Sequence, residues 1–283
     1  PEWKETKMAA LSVNTNYGAM VALQQLNSTN MALSETQERI NTGLKVAGAK
    51  DNGAVYAIAQ GMRADLSGFG VVLDSLDRVG STVDVAIAAG ESIGDLLIDM
   101  KEKALAASDE TLTTAQRAAY NEDFKALRDQ ISTIVTNAEF NGTNLINNTT
   151  AEITAFADAD GNNVITVQDE NLSLSGSIIT LTSTASMSSA SIASGYVSTI
   201  ETSLTNLNQA LARLGTSSKS LSIHHEFTTK LRDSLEAGVG NLVDADMAKE
   251  SAKLQALQTK QQLGVQALSI ANQAPQIINS LFQ

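Results

Sequence analysis

The sequence predicts a mainly α-helical protein in which both chain ends form a long antiparallel coiled coil or helix bundle, with a small central β-hairpin insert. Three observations predict this fold class. Apolar residues recur every three or four positions through most of the 283 residues. Both ends are apolar and almost uncharged, and only a short central stretch alternates β-branched residues with turn residues. Long helices on both sides of a short β segment favour a bundle in which the two chain ends lie together.

The amino-terminal end predicts an amphipathic helix. From Met8 to Ser34 no side chain is charged, and turn-prone residues at 41–43 and 48–54 interrupt the pattern. The preceding residues 1–7, PEWKETK, fit no periodic pattern, so we expect an upstream extension, either a cloning scar or a start site placed too early. The predicted apolar stripe is Ala19, Leu23, Leu26, Asn30, Leu33, Gln37 and Ile40.

The middle of the chain predicts further helices. A helix of about 45 residues is expected from Met62, with a row spaced by sevens that argues for coiled-coil-like packing. A turn at 108–116 precedes a second helix, and helical periodicity returns at 200–242. The seven-residue row is Val72, Val79, Ala86, Ile93, Met100 and Ala107. The stripe of the second helix is Tyr120, Phe124, Leu127, Ile131, Ile134 and Ala138.

Residues 150 to about 190 predict one or two β-hairpins, because short β-branched runs alternate there with Asp, Gly and Asn. We therefore divide the chain into four parts. Residues 1–7 are the extension, and 8–45 with 243–283 form a terminal coiled coil. Residues 46–149 with 191–242 form a helical rod, and 150–190 form an outward-facing hairpin insert.

The carboxy-terminal end carries an apolar face too wide for one partner helix. No residue from Gln261 to Gln283 is charged, and two neighbouring apolar rows run along the helix predicted from about residue 244. Pro275 is expected to kink that helix. The first row is Leu263, Ala267, Ile270, Ala274, Ile277 and Leu281. The second is Gly264, Leu268, Ala271, Pro275, Ile278 and Phe282.

Such a face predicts burial between subunits as well as within one chain, because a monomer would leave much of it in water. The residues expected to act in self-assembly lie on both terminal helices. They are Leu23, Leu26, Leu33, Ile40, Leu263, Leu268, Ile270, Ile277, Ile278, Leu281 and Phe282.

Other function classes find little support. A net charge of −12 argues against nucleic acid as a partner, and the absence of cysteine excludes disulfides and thiolate metal sites. The uncharged ends are too rich in Gln, Asn and Ser to span a membrane.

Adjacent His224 and His225 would point about 100° apart on a helix, which disfavours a shared metal. DADGNN at 158–163 lacks the glycine and glutamate spacing of a calcium loop. We expect neither enzymatic activity nor a cofactor.

At this point the sequence resembles a known family. From Met8 onward, SVNTNYGAMVALQQLNSTN, QERINTGLKVAGAKDNGA and AIAQGMRADLSG resemble the amino-terminal signature of bacterial flagellins. FNGTNLI at 140–146 is similar to the family's FNG turn, and NLVDADMAKESAKLQALQTKQQLGVQALSIANQAPQIINSLF to its carboxy-terminal signature. The resemblance covers nearly everything except 1–7 and 150–195. It is closest to compact flagellins of the alphaproteobacterial kind.

The resemblance implies a structural subunit of the flagellar filament, secreted to the cell exterior and serving motility. It implies export of the unfolded chain by the flagellar type III system. The partners would be copies of itself, sister flagellins, an export chaperone and apparatus, the filament cap and hook-associated proteins. The terminal coiled coil would line the inner tube of the filament.

The resemblance also marks a segment read by an animal innate immune receptor. The family commonly has Arg and Leu where this chain has Asp99 and Lys103, whereas Asp123 matches an acidic position. Reversed charge at a central contact is unfavourable, so the departure predicts weak or absent receptor activation.

Three alternatives stay open at the level of sequence. A hook–filament junction protein shares the terminal helices, although the full-length carboxy-terminal match favours flagellin. An exported adhesin could use the hairpins, where aromatic and charged residues do not cluster. A metal-dependent enzyme at His224 and His225 is the weakest alternative.

Overall fold

The computed structural model describes residues 15–280, with side chains through residue 273. The predicted fold class is confirmed: the described chain is mainly helical, with one small antiparallel sheet. Residues 1–7 and the side chains of 274–283 lie outside the description. The elements are α1 Tyr17–Thr42, α2 Gly53–Ala107, α3 Thr114–Asn137, β1 Glu152–Phe156, β2 Val164–Gln168, α4 Ala190–Val243 and α5 Met247–Ser280.

The chain divides into two compact units. The first comprises the described parts of Pro1–Arg63 and Glu236–Gln283, and the second is Ala64–Leu235. Our four-part division into coiled coil, rod, insert and extension stays a prediction, since it refers to layers of a filament.

The core of the second unit follows the predicted seven-residue row of α2. All six members of that row are buried, with exposed fractions between 0% and 8%. α4 packs antiparallel beside this part of α2, with Lys101 Nζ 2.8 Å from Glu201 Oε1. A Cβ at Gly90 would lie only 2.7 Å from Leu211 Cδ2, so glycine permits the close approach of the two helices there.

Side-chain caps fix the ends of the helices. α2 begins at Gly53 rather than at Met62, because Asn52 Oδ1 accepts the Val55 backbone N–H at 3.1 Å and starts the helix earlier. α3 begins with a capping box in which Thr113 and Gln116 bond each other's backbone N–H groups. The predicted tight turn is present at Asn141 and Gly142, which both have positive φ.

The insert contains one hairpin. β1 and β2 pair antiparallel, with Ile153 opposite Val167, and Ala155 and Val167 are buried. The intervening turn is held by Asp158, which accepts the backbone N–H groups of Asn162 and Asn163. The following 169–189 stretch is irregular, yet its apolar side chains join the core of the second unit. They are Leu172, Ile178, Ile179, Leu181, Ala185 and Met187.

Candidate assembly surface

The two terminal helices form an antiparallel pair within the first unit. Asn16 Nδ2 donates to the Ala271 carbonyl oxygen at 2.6 Å, and Gln261 Nε2 donates to Asn30 Oδ1 at 2.8 Å. Farther along, Arg39 Nη1 lies 3.5 Å from Glu250 Oε1. Residues later on α1 therefore meet residues earlier on α5.

The seam between α1 and α5 has the spacing of a coiled coil. The less exposed positions of each helix recur at alternating steps of three and four residues. On α1 they include Ala19, Ala22, Leu26, Thr29, Leu33, Thr36 and Ile40. On α5 they include Glu250, Leu254, Leu257, Gln261, Gly264, Leu268 and Ala271.

The seam uses only one of the two carboxy-terminal rows. Gly264, Leu268 and Ala271, from the second predicted row, are partly buried. Leu263 and Ile270, from the first row, are 58% and 69% exposed. A single chain therefore leaves the described residues of the first row exposed to solvent.

The predicted self-assembly residues fall into three groups. Leu26, Leu33, Ile40 and Leu268 are partly buried along the seam, whereas Leu23, Leu263 and Ile270 are exposed. The side chains of Ile277 and Ile278 lie outside the described part of the chain, as do Leu281 and Phe282 entirely. The backbone of α5 stays helical through Pro275.

The exposed residues belong to a larger surface, which we call the apolar coat. Monomeric proteins rarely leave so many large apolar side chains in water along one pair of helices. The apolar stripes predicted from the sequence contain only some of these side chains, although the lack of charged residues at both chain ends was evident. The apolar coat consists of Tyr17, Met20, Val21, Leu23, Met31, Leu263, Val265 and Ile270, each 47% to 72% exposed.

The predicted amino-terminal stripe is wrong at three positions, since Leu23 is exposed while its neighbour Ala22 lies on the seam. Asn30 and Gln37 are exposed, whereas their neighbours Thr29 and Thr36 are buried. Both choices satisfy the same spacing from Leu26 and Ile40, so the periodicity did not separate them. Two small hydroxyl side chains leave room for closer packing of the helices than two amides would.

Sequence reasoning also missed the junction at the base of the pair. Leu44 and Asp244 form an isolated antiparallel bridge where α1 and α4 have ended. Lys45 donates its backbone N–H to the Val243 oxygen at 2.7 Å, and Ala245 donates to the Gly43 oxygen at 2.8 Å. The left-handed φ of Gly43, 73°, ends α1 at this point. Only the first of these two connections was predicted from the sequence, as turn-prone residues at 41–43 and 48–54.

The segment matching the innate-receptor site contains an internal ion pair. Lys103 Nζ lies 3.6 Å from Asp123 Oδ2, and Asp99 is exposed on the same helix as Lys103. Of the three predicted residues, the structure thus brings Lys103 and Asp123 together.

The two histidines contact different groups. His224 Nε2 lies 2.8 Å from the Ala157 carbonyl oxygen, and His225 Nε2 lies 3.4 Å from Asp77 Oδ1. The part of the chain described by the structure contains no group of three His, Cys, Asp or Glu residues suited to a metal. Among those same residues, no helix is both long and apolar enough to cross a membrane.

The buried carboxylate of Glu170, in the second unit, has both oxygens hydrogen-bonded. Arg213 donates from Nε and Nη2 to the two oxygens of Glu170, each at 2.6 Å, and Glu170 is 6% exposed. This hydrogen bonding raises the pKa of the Arg213 guanidinium. The pair joins α4 to the chain after β2, which is a structural role.

Comparison with known proteins identifies the family. The model of the bacterial flagellin N-terminal helical region matches residues 13–151, and that of the C-terminal helical region matches residues 197–282. Both terminal helices, α2 and α3 lie within these matches, as does α4 from residue 197 onward. The chain belongs to the bacterial flagellin family.

Full-length relatives agree with this flagellin assignment. Flagellin FljK of Caulobacter vibrioides is 55% identical over 276 residues, covering 98% of this chain and 100% of the relative. A flagellin of Brucella melitensis is 37% identical over 281 residues, covering 96% and 99%. The predicted resemblance to alphaproteobacterial flagellins is confirmed.

A solved structure shares the fold. A putative flagellar hook-associated protein from Vibrio parahaemolyticus matches 69% of this flagellin and 100% of its own chain, with a TM-score of 0.57 and 12% identity. At that identity the likeness concerns the fold alone. The full-length flagellin identities favour a filament subunit over a hook–filament junction protein or an adhesin. This flagellin is therefore a structural subunit of the flagellar filament.

Proposed function

We propose that the apolar coat of α1 and α5 is the surface through which copies of this flagellin join in the filament. The observation that carries the proposal is the split between the two rows of α5. One row is partly buried against α1, while Leu263 and Ile270 of the other are 58% and 69% exposed. Burial of such side chains stabilises an association by roughly 1.5–3 kcal/mol each.

The polymer would be an open helix of subunits. A coat on one copy that meets a different surface on the next gives a heterologous contact, and such contacts extend indefinitely when their rotation does not close a ring. The terminal pair would then form the inner layer and residues 150–190 would face outward. Sister flagellins with similar terminal helices would join the same polymer.

The wider role includes export and location outside the cell. The chain would leave the cell unfolded through the flagellar type III apparatus, with an export chaperone, and would assemble between hook-associated proteins and the filament cap. The described helices support this role through their sparsely charged ends, whose apolar coat gains a partner only after assembly. The chain would have a structural and not a catalytic role.

A single charge in the coat tests the proposal. Ile270→Asp should abolish filament formation by concentrated, salted-out protein, because a buried unpaired charge costs several kcal/mol. Gln255→Asp, at an exposed polar position of the same helix outside the coat, is the matched control. Ile277→Asp, beyond the described side chains, should behave like Ile270→Asp.

The readouts are sedimentation and electron microscopy, with circular dichroism to show that the helices of the second unit remain folded. Normal filaments from Ile270→Asp, or equal loss from Gln255→Asp, would contradict the assignment of the coat. Absence of filaments from the unaltered protein, together with no change on deleting residues 261–283, would contradict the filament role itself.

A further inference from the structure

We infer that the ion pair between Arg39 and Glu250 selects the register in which the two terminal helices of one chain pair. The inference concerns pairing within a single chain, so it does not depend on the apolar coat or on polymerisation. It assigns a specificity-determining role to two residues that lie inside an otherwise uncharged seam.

Glu250 is held in an unusual position for a carboxylate. It is 8% exposed and lies in the first turn of α5. Its Oε1 lies 3.5 Å from Arg39 Nη1, while its buried Oε2 has no hydrogen-bond partner among the described residues. Lys253 Nζ approaches that oxygen only to 3.9 Å. A buried carboxylate without a nearby cation is strongly unfavourable, so the pairing must place Arg39 beside it.

The rest of the seam does not distinguish registers well. A slip of one heptad would move Leu26 from Gly264 to Leu257, exchanging one apolar contact for another. The same slip would place Leu33 opposite Glu250 and move Arg39 away. Apolar packing tolerates such a slip, whereas the buried carboxylate would lose Arg39 and keep only the more distant Lys253 of its own helix, 3.9 Å away.

Neighbouring polar contacts involve no charged side chain. The bridge between Leu44 and Asp244 is made by backbone groups of the two connections and involves no side chain. The bond between Gln261 and Asn30 joins two amides in helices rich in amides. After a slip of one heptad Leu254 would lie opposite Asn30, so this amide bond would be lost without leaving a charge buried.

Polar groups within a coiled-coil seam are known to specify register at a cost in stability. Here Glu250 Oε2 and the fully buried Thr36 Oγ1 lie at seam positions and have no hydrogen-bond partner in the described part of the chain, which is the expected sign of such a cost. An apolar residue at position 250 would pack better in the seam but would favour the observed register less strongly.

Engineered cysteines can report the register directly, because the chain has no cysteine of its own. A Cβ at Gly264 would lie 3.9 Å from Leu26 Cβ, within the separation of about 3.5–4.5 Å found in disulfides. Leu26→Cys with Gly264→Cys therefore reports the observed register. Leu26→Cys with Leu257→Cys reports the slipped one.

The full-length chain is oxidised, both unpolymerised and as filaments, and intramolecular cross-links are quantified by electrophoresis and mass spectrometry. With Arg39 and Glu250 intact, we expect the 26–264 link to exceed the 26–257 link at least tenfold. Glu250→Leu should bring the two links to within about threefold while leaving the thermal stability of the helices equal or higher.

Three further variants separate register from simple stability. Glu250→Arg should suppress the 26–264 link, and Arg39→Glu combined with Glu250→Arg should restore it. Glu35→Gln removes the exposed partner that lies 2.6 Å from Arg39 and should leave the pattern unchanged. An unchanged tenfold preference in Glu250→Leu would overturn the inference, as would failure of the charge-swapped chain to recover the 26–264 link.

Discussion

Leu26 packs directly against Gly264 across the pair of terminal helices. A Cβ placed on Gly264 would lie 3.3 Å from Leu26 Cδ1, slightly inside ordinary van der Waals contact. The glycine thus leaves the space that the leucine occupies, at a position where two apolar rows of α5 adjoin.

The size of residue 264 should control the stability of the helix pair. Gly264→Ala is expected to be neutral or stabilising, because Leu26 Cδ1 can rotate away and alanine favours the helix by about 1 kcal/mol. Gly264→Ile should weaken the pair by about 1–3 kcal/mol, because its branched side chain cannot be accommodated. The midpoint of thermal filament dissociation measures both, and equal midpoints for the two variants would refute the packing role.

Two glycines of α2 should respond oppositely to alanine. Gly90→Ala would bring a methyl group 2.7 Å from Leu211 Cδ2, so we expect a loss of about 1–3 kcal/mol in the free energy of unfolding. Gly80→Ala meets no atom within 4 Å and should gain up to about 1 kcal/mol. Urea denaturation of the monomer measures the difference, which would be absent if the close approach at Gly90 were unimportant.

The innate immune receptor should respond weakly to this flagellin. Asp99 reverses the charge of the family's contact, and Asp123 is paired with Lys103 at 3.6 Å. A cell reporter assay with purified monomer should show little activation. Asp99→Arg combined with Lys103→Leu should raise the response, because it restores the family residues and leaves Asp123 unpaired. Full potency of the unaltered protein would contradict this prediction.

Limited proteolysis of the monomer should remove both ends and leave roughly residues 45–240. In the described part of the first unit the buried apolar residues are few, namely Val46, Ala59, Val239, Val243 and Leu257. Sparse burial lowers the free energy of local opening. Mass spectrometry of the fragments locates the cuts, and filaments should resist the same protease. Termini that survive equally in the monomer would argue against assembly-dependent stability.

The α2 row and the irregular segment after the hairpin show what a local sequence pattern can and cannot predict. Periodicity predicted the row from Val72 to Ala107 because every seventh residue of a packed helix returns to the same face. It did not predict the burial of Ile179 and Leu181 in an irregular segment, since no repeating pattern accompanies that burial. Likewise, the start of α2 at Gly53 depends on the cap formed by the Asn52 side chain. In the sequence alone, an asparagine at this position is equally typical of a turn.

By itself, the sequence determined the helical class, the uncharged ends and the signatures of the flagellin family, because these depend on composition and on repeats along one helix. Only the tertiary structure decided which row of α5 faces α1, that Thr29 and Thr36 replace Asn30 and Gln37 on the seam, and that Arg39 meets Glu250. Adjacent rows on a helix satisfy the same period, so the choice between them depends on contacts between residues far apart in the chain.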